Sequence, residues 1–345
     1  MTEQQAARIE ALLASHFKAG ARRVLTNRPE DVRVWVGKWL FLIEFKERGE
    51  AGSVASAIKQ LSSATRGDPG TLIPLVVVPR MGLSGRDVCE VAGVSWLDLD
   101  GNAEIASEDL FVSVRGRGRW GSRPHQTPTS NPFTLRNSRI VHLLLNEPNG
   151  RWDQQRILEA TNLSRSTVSR TIKYLDQAEY IRWNAGINEL TVINPRLLLE
   201  AWREARPLER HDLLKITVPA RSGPVLLAET AHRFRDHGIE FAATGLAAAW
   251  EYTHFADFRI TSIYVQEFPD GQRLWGRELA AEEPGANLWL VRPRDEGVFY
   301  GRTSPNDVPC VSIVQTYVDL VSHAERSAEA SDEIRNRMLH WARTP

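Results

Sequence analysis

The stretch LSRSTVSRTIKYLDQAEYI, residues 163–181, constrains the chain more than any other. Ser164 is placed to cap a helix, because its hydroxyl can accept one of the free N–H groups of the first turn. Val168, Ile172 and Leu175 then recur at i, i+4 and i+7 and form one apolar stripe. Ser166, Ser169, Arg170 and Lys173 fall on another face of the same helix, with Arg165 and Thr167 beside them in its first turn. That face carries hydroxyls that reach phosphates or bases, a guanidinium suited to guanine, and further cations. It is what a helix lying in a major groove needs. Taken alone, it is equally an amphipathic helix with a solvated face.

The flanks separate the two readings. Residues 139–146 (RIVHLLLN) read as a short helix closed by EPNG, and residues 153–161 (DQQRILEAT) as a second helix with Asp153 as its cap. Asn162-Leu163 is a tight turn into the third helix. Residues 180–183 and 189–193 are two β-like runs joined by the polar turn NAGIN, so they read as a hairpin. Three helices and a hairpin at this spacing make a winged helix-turn-helix over residues 135–195, with double-stranded DNA as the expected partner.

The chain has 345 residues and a formal net charge of zero, so no global field draws it onto nucleic acid and any such affinity must come from local patches. Its N-terminus, MTEQQAARIE, is polar and mixed in charge, unlike a signal peptide, and its longest apolar run, residues 72–79, is too short to span a bilayer. Two cysteines, Cys89 and Cys310, give neither a disulfide framework nor zinc spacing. The expectation is a cytoplasmic, reduced protein with no membrane contact.

Before the DNA-binding motif, residues 2–19 read as a helix that buries Ile9, Leu12, Leu13 and Phe17. Residues 31–46, DVRVWVGKWLFLIEFK, alternate on either side of Gly37-Lys38 and read as a β-hairpin with one apolar face. A two-residue turn pairs Val36 with Trp39, and counting outward sets Asp31 opposite Glu44, about 5 Å apart at Cβ. Lys46 follows on the same face as Glu44. Like charges facing each other need a cation or a proton between them. Helix is then expected over residues 53–62 and 84–92, and strand over 72–78, 94–98 and 104–106, so residues 1–115 form an α/β domain. An aspartate followed by Glu-x-Lys on strands resembles the core of the PD-(D/E)XK nucleases. That resemblance implies Mg²⁺ held by Asp31 and Glu44, a catalytic set of Asp31, Glu44 and Lys46, and a supporting role for Gln60. The plain alternative is a hairpin whose second face is merely polar.

Residues 116–121, GRGRWG, satisfy G-x-G-x-x-G, but the following SRPHQTP cannot begin the helix that a dinucleotide site requires. The longer segment 111–146 carries Arg115, Arg117, Arg119, Arg123, Arg136 and Arg139 with no acidic residue before Glu147, and residues 116–134 within it read as a basic linker able to follow phosphates, or merely as a solvated spacer. After the hairpin, residues 195–206 read as a helix leading to a third, α/β domain, residues 207–345. Strands are expected there at 259–265, 287–291 and 298–300, and helices at 224–237, 245–252 and 311–340. Glu229, Asp257 and Asp319 are scattered, and His232, His237 and His254 lack metal-ligand spacing.

Several stretches together resemble the AbiEi-like antitoxins of type IV toxin–antitoxin systems: SRSTVSRTIKYLDQAEYI, ATGLAAAWEYTHFADFRITSIYV and VSIVQTYVDLVSHAERSAEASDEIRNRML. The stretches LIEFK, LIPLVVVP and GVSWLDLDGNAEI are similar to a longer branch of that family with a PD-(D/E)XK-like N-terminal domain. The resemblance implies a repressor of its own operon that counteracts a nucleotidyltransferase-like toxin. The sequence thus describes an α+β multidomain protein that binds DNA as a regulator. A Mg²⁺-dependent endonuclease directed by the winged helix and a protein-interaction scaffold are the alternatives.

Overall fold

The computed structural model describes residues 1–24, 32–65, 72–107, 109–116, 131–205, 207–255, 257–323 and 326–342. The chain is mixed α/β with several sheets and divides into two compact units, Met1–Gln126 and Thr127–Pro345.

In the first unit the elements run α1 (Glu3–Phe17), β1 (Ala21–Val24), β2 (Val32–Val36), β3 (Trp39–Phe45), α2 (Ala51–Ala64), β4 (Leu72–Val78), α3 (Leu83–Ala92), β5 (Ser95–Asp98), β6 (Ala103–Ser107) and β7 (Leu110–Val114). The strands form one sheet in sequence order. The β3-β4-β5 core is parallel, and both flanks are antiparallel. Thr2 caps α1 in a capping box with Gln5. Ile9, Leu12 and Leu13 of α1 pack on Val34, Val36, Phe41, Ile43, Leu75 and Leu97, while Val54, Ala57 and Leu61 of α2 share a second cluster with Leu42, Val76 and Trp96. The central strands are therefore covered on both faces, which explains the near-continuous apolar run of β4. The expected hairpin is present. Gly37 turns in the left-handed region at φ +57°, where glycine is favoured, and Val36 pairs with Trp39 and Val32 with Ile43.

The second unit opens with α4 (Ser138–Asn146), α5 (Gln154–Thr161), α6 (Arg165–Gln177), β8 (Ile181–Asn184), β9 (Glu189–Val192) and α7 (Pro195–Glu204). It continues with β10 (Asp212–Ile216), α8 (Gly223–Asp236), β11 (Phe241–Thr244), α9 (Gly245–Thr253), β12 (Thr261–Val265), α10 (Gly271–Trp275), β13 (Leu288–Arg292), α11 (Ile313–Asp319) and α12 (Ser327–Arg337). A four-stranded sheet in the order β10-β13-β12-β11 is parallel only between β12 and β13.

Three expectations change here. Residues 298–300 lie in or next to a 3-10 turn, Glu296–Phe299, rather than in a strand. The helix expected over 311–340 is two helices separated by the 3-10 turn Leu320–Ser322. Val314 and His323 are both buried, yet in one straight helix nine residues would set them about 180° apart. The break brings both inside. Finally, residues 135–195 and 207–345 do not form separate cores. Ile140, Leu144, Trp152, Ile172 and Trp202 belong to one hydrophobic cluster with Ile216, Ile263, Leu288, Val314 and Val318.

Candidate nucleic-acid interface

Helix α6 begins where the sequence places it. The Ser164 hydroxyl accepts the N–H of Thr167 at 3.2 Å, and its backbone is extended, as a cap requires. One helix earlier the Asp153 carboxylate caps α5 by accepting from the Arg156 N–H at 2.9 Å. Between the helices, Asn162 adopts φ +51° as the C-cap of α5, a conformation that asparagine tolerates better than most residues. Leu163, Val168, Ile172 and Leu175 are buried, which fixes which side of α6 faces out.

Arg165, Ser166, Ser169, Arg170 and Lys173 are all exposed. Positions 165, 169 and 173 lie one turn apart, with 166 and 170 beside them, so the five share one outward stripe. Thr167 departs from the expectation. It is half-buried, and its hydroxyl lies 2.8 Å from that of Ser164, so it serves the cap. Arg170 donates through Nε to the Ser166 carbonyl at 3.1 Å, which lays the guanidinium along the helix.

The hairpin β8–β9 is held from two sides. The Trp183 N–H donates to Asp176 Oδ1 at 2.8 Å, tying β8 to α6. The Leu190 N–H donates to the Trp152 carbonyl at 2.8 Å, tying β9 to the segment just before α5. At the tip, Ile187 is 65% exposed and Arg182, Asn184 and Asn188 are exposed beside it.

The arginines expected in a basic linker have different fates. Arg117, Arg119 and Arg123 lie outside the described residues. Arg115, just past β7, donates to Glu104 Oε2 at 2.7 Å and is already paired on the first unit's sheet. Arg139 lies, as expected, in the helix that follows, as the second residue of α4. Its Nε donates to Asp295 Oδ1 at 2.8 Å, and that bond raises the basicity of a guanidinium that burial would lower.

On the first unit, Lys46 Nζ lies 3.2 Å from Glu44 Oε1 and donates to Gln60 Oε1 at 2.6 Å. The structure thus brings together three of the four residues expected at the nuclease-like site. The fourth, Asp31, lies outside the described residues. Among the described residues no group of three or more His, Cys, Asp or Glu side chains is placed to hold a metal ion, and no helix is long and apolar enough to cross a membrane.

Sequence reasoning left one cluster unassembled. Asp319 is fully buried and accepts from the hydroxyls of Thr244 at 2.7 Å and Tyr264 at 3.1 Å and from the Gln315 amide at 2.8 Å. Burial pushes its carboxyl up to about 7 against those donors. Its partners on β11 and β12 lie 75 and 55 residues away, and only Gln315, one helical turn earlier, was a local signal.

A family description, a domain of unknown function designated DUF7343, matches residues 134–184, which run from just before α4 to the end of β8. No curated protein matches the chain. Among solved structures, a repair endonuclease from Pyrococcus abyssi is similar at 14% identity, with a TM-score of 0.24, over 28% of this chain and 46% of that one. The chain therefore spans under half the length of that structure, and a likeness of this size carries no argument about fold or activity.

Proposed function

We propose that this chain is a sequence-specific DNA-binding regulator, with α4, α5 and α6 and the β8–β9 hairpin acting as a winged helix-turn-helix and α6 as the recognition helix. The observation that carries this reading is the outward stripe of Arg165, Ser166, Ser169, Arg170 and Lys173 on a helix whose entry turn and following hairpin are both fixed. Guanidinium, ammonium and hydroxyl groups on one exposed helix face match base edges and phosphates in a major groove. The family resemblance adds the role of an antitoxin-like autorepressor with a toxin as protein partner. Gel-shift titration on the gene's own upstream DNA tests the reading, with a scrambled duplex as competitor. Preferential retention of the upstream duplex, with or without Mg²⁺, is expected. Equal affinity for both duplexes overturns sequence specificity, and no shift overturns DNA binding.

A second reading, a Mg²⁺-dependent nuclease, is favoured by the contact of Glu44, Lys46 and Gln60 on the first unit. We read that unit as nuclease-like in fold with weak metal binding and little or no cleavage. Efficient Mg²⁺-dependent cutting of duplex DNA, lost in both Glu44→Ala and Lys46→Ala, would promote the endonuclease reading instead.

A further inference from the structure

The turn between α5 and α6 is gripped from outside the helix pair. Arg139 reaches in two directions. Its Nε donates to Asp295 at 2.8 Å, and its Nη1 donates to the carbonyl of Thr161 at 3.0 Å. Thr161 is the last residue of α5, so its carbonyl is one of the terminal acceptors that no helix N–H satisfies. The Tyr300 hydroxyl donates to that same carbonyl at 3.4 Å. Three residues on, Ser164 opens α6. The direction in which α6 departs is therefore set beside a carbonyl held by side chains at 139 and 300, and the arginine is itself held by 295.

The holding segment is braced in turn. Asp295 accepts the N–H of Gly297 at 2.9 Å. His142 Nδ1 lies 2.9 Å from the Gly297 carbonyl, and its Nε2 lies 2.6 Å from the Ser312 hydroxyl. A carbonyl only accepts, so Nδ1 carries the proton and Nε2 takes the one from Ser312. Residues 139 and 142 of α4 are thus bolted to 295–297 and to the cap of α11. The arginine side chain is 18% exposed and the aspartate 9%, so the pair is poorly screened by salt. A Cβ on Gly297 would fall 2.7 Å from Arg139 Cγ, so the arginine fits only because residue 297 has no side chain. A small cavity lined by His142, Trp202, His211 and Gln315 borders the pair.

We propose that Arg139 is a positioning residue through which the C-terminal half, by way of Asp295, Gly297 and Tyr300, sets the angle of the recognition helix. The proposal rests on the reading of α6 as a DNA-recognition helix. The C-terminal half then shapes DNA recognition without touching the DNA-facing surface.

Two variants of the full chain test this. Arg139→Met with Asp295→Asn removes both ends of the ion pair, so that no lone buried charge remains to unfold the protein. Gly297→Ala keeps every charge and disturbs the Arg139–Asp295 pair by sterics alone, since its Cβ would fall 2.7 Å from Arg139 Cγ and 2.8 Å from Asp295 Oδ1, so it carries the test if the double variant does not fold. Amide hydrogen exchange at residues 162–168 should rise at least tenfold in these variants, with β12 amides unchanged. The ratio of affinities for the preferred duplex and an unrelated one should fall at least tenfold, with the salt slope kept. Unchanged exchange at 162–168 overturns the grip, even if DNA binding suffers. Faster exchange with specificity intact overturns its role in recognition. If the unaltered protein prefers no duplex over another, the DNA reading fails, and the exchange result alone decides whether the C-terminal half holds the turn.

Discussion

Arg170 sits at the centre of the exposed stripe of α6, with one guanidinium nitrogen turned back on the Ser166 carbonyl. That bond leaves the two terminal nitrogens in a fixed plane, the geometry that reads a guanine edge. Arg170→Ala is expected to cost about 1–3 kcal/mol on the preferred duplex and to relax base choice there. Competition binding with single-base variants checks it, and an equal loss on every sequence would reduce Arg170 to a phosphate contact. Glu44 is the opposite case, because its countercharge is already present. With the Lys46 ammonium 3.2 Å away, the carboxylate has less to gain from a divalent ion. Millimolar Mg²⁺ should accordingly move the melting temperature of the chain little, since a weakly bound ligand stabilises the folded state only slightly. A melting temperature that climbs with Mg²⁺, and stops climbing in Glu44→Gln, would establish a metal site there.

Among the elements, the hairpin shares a core with α6 and is tied to it by one side-chain hydrogen bond. The Asp176 carboxylate accepts the Trp183 N–H at 2.8 Å, and a bond to a charged group contributes about 1.5–3 kcal/mol. Asp176→Ala should free the Trp183 amide to exchange and weaken DNA binding, while the folded content seen by circular dichroism stays the same. Protection of that amide in the variant would show that the hairpin is held elsewhere. The elements involved were legible from local signals: a cap at Ser164, apolar recurrence at 168, 172 and 175, and a polar turn between two β-like runs. What holds them was not. Arg139 was legible as a helix residue but not as a brace, because its partners are 156 and 22 residues away. The same distance hid the cluster around Asp319. Strands β10 and β11 went unread for a different reason: β10, DLLKI, does not alternate, and β11, FAAT, is half alanine, which carries little strand signal.

For the second unit as a whole, buried titratable groups fix how stability varies with pH. Burial drives His142, His211 and His323 down to about 4 from an ordinary 6.5. Their contribution is present above 6.5 and lost as pH falls towards 4, because the unfolded chain takes up protons that the fold refuses. Asp319 has the opposite sign. Its carboxyl is raised from 3.8 to about 7, so its contribution is present at low pH and lost as pH rises through that window. Three histidines against one carboxyl leave the unfolded chain about two protons richer between pH 4 and 6.5, so this unit should melt lower at pH 5 than at pH 7. Thermal melts followed by tryptophan emission would show it, and a higher melting point at pH 5 would contradict it. The same unit has one core: Ile140, Val141 and Leu144 of α4 belong to one cluster with Val314, Tyr317 and Val318 of α11. Excised alone, residues 131–195 would carry that α4 face into water, an apolar patch that invites aggregation. A hybrid that borrowed α4 to α6 would therefore have to bring, or replace, the α11 side chains that cover their inner face.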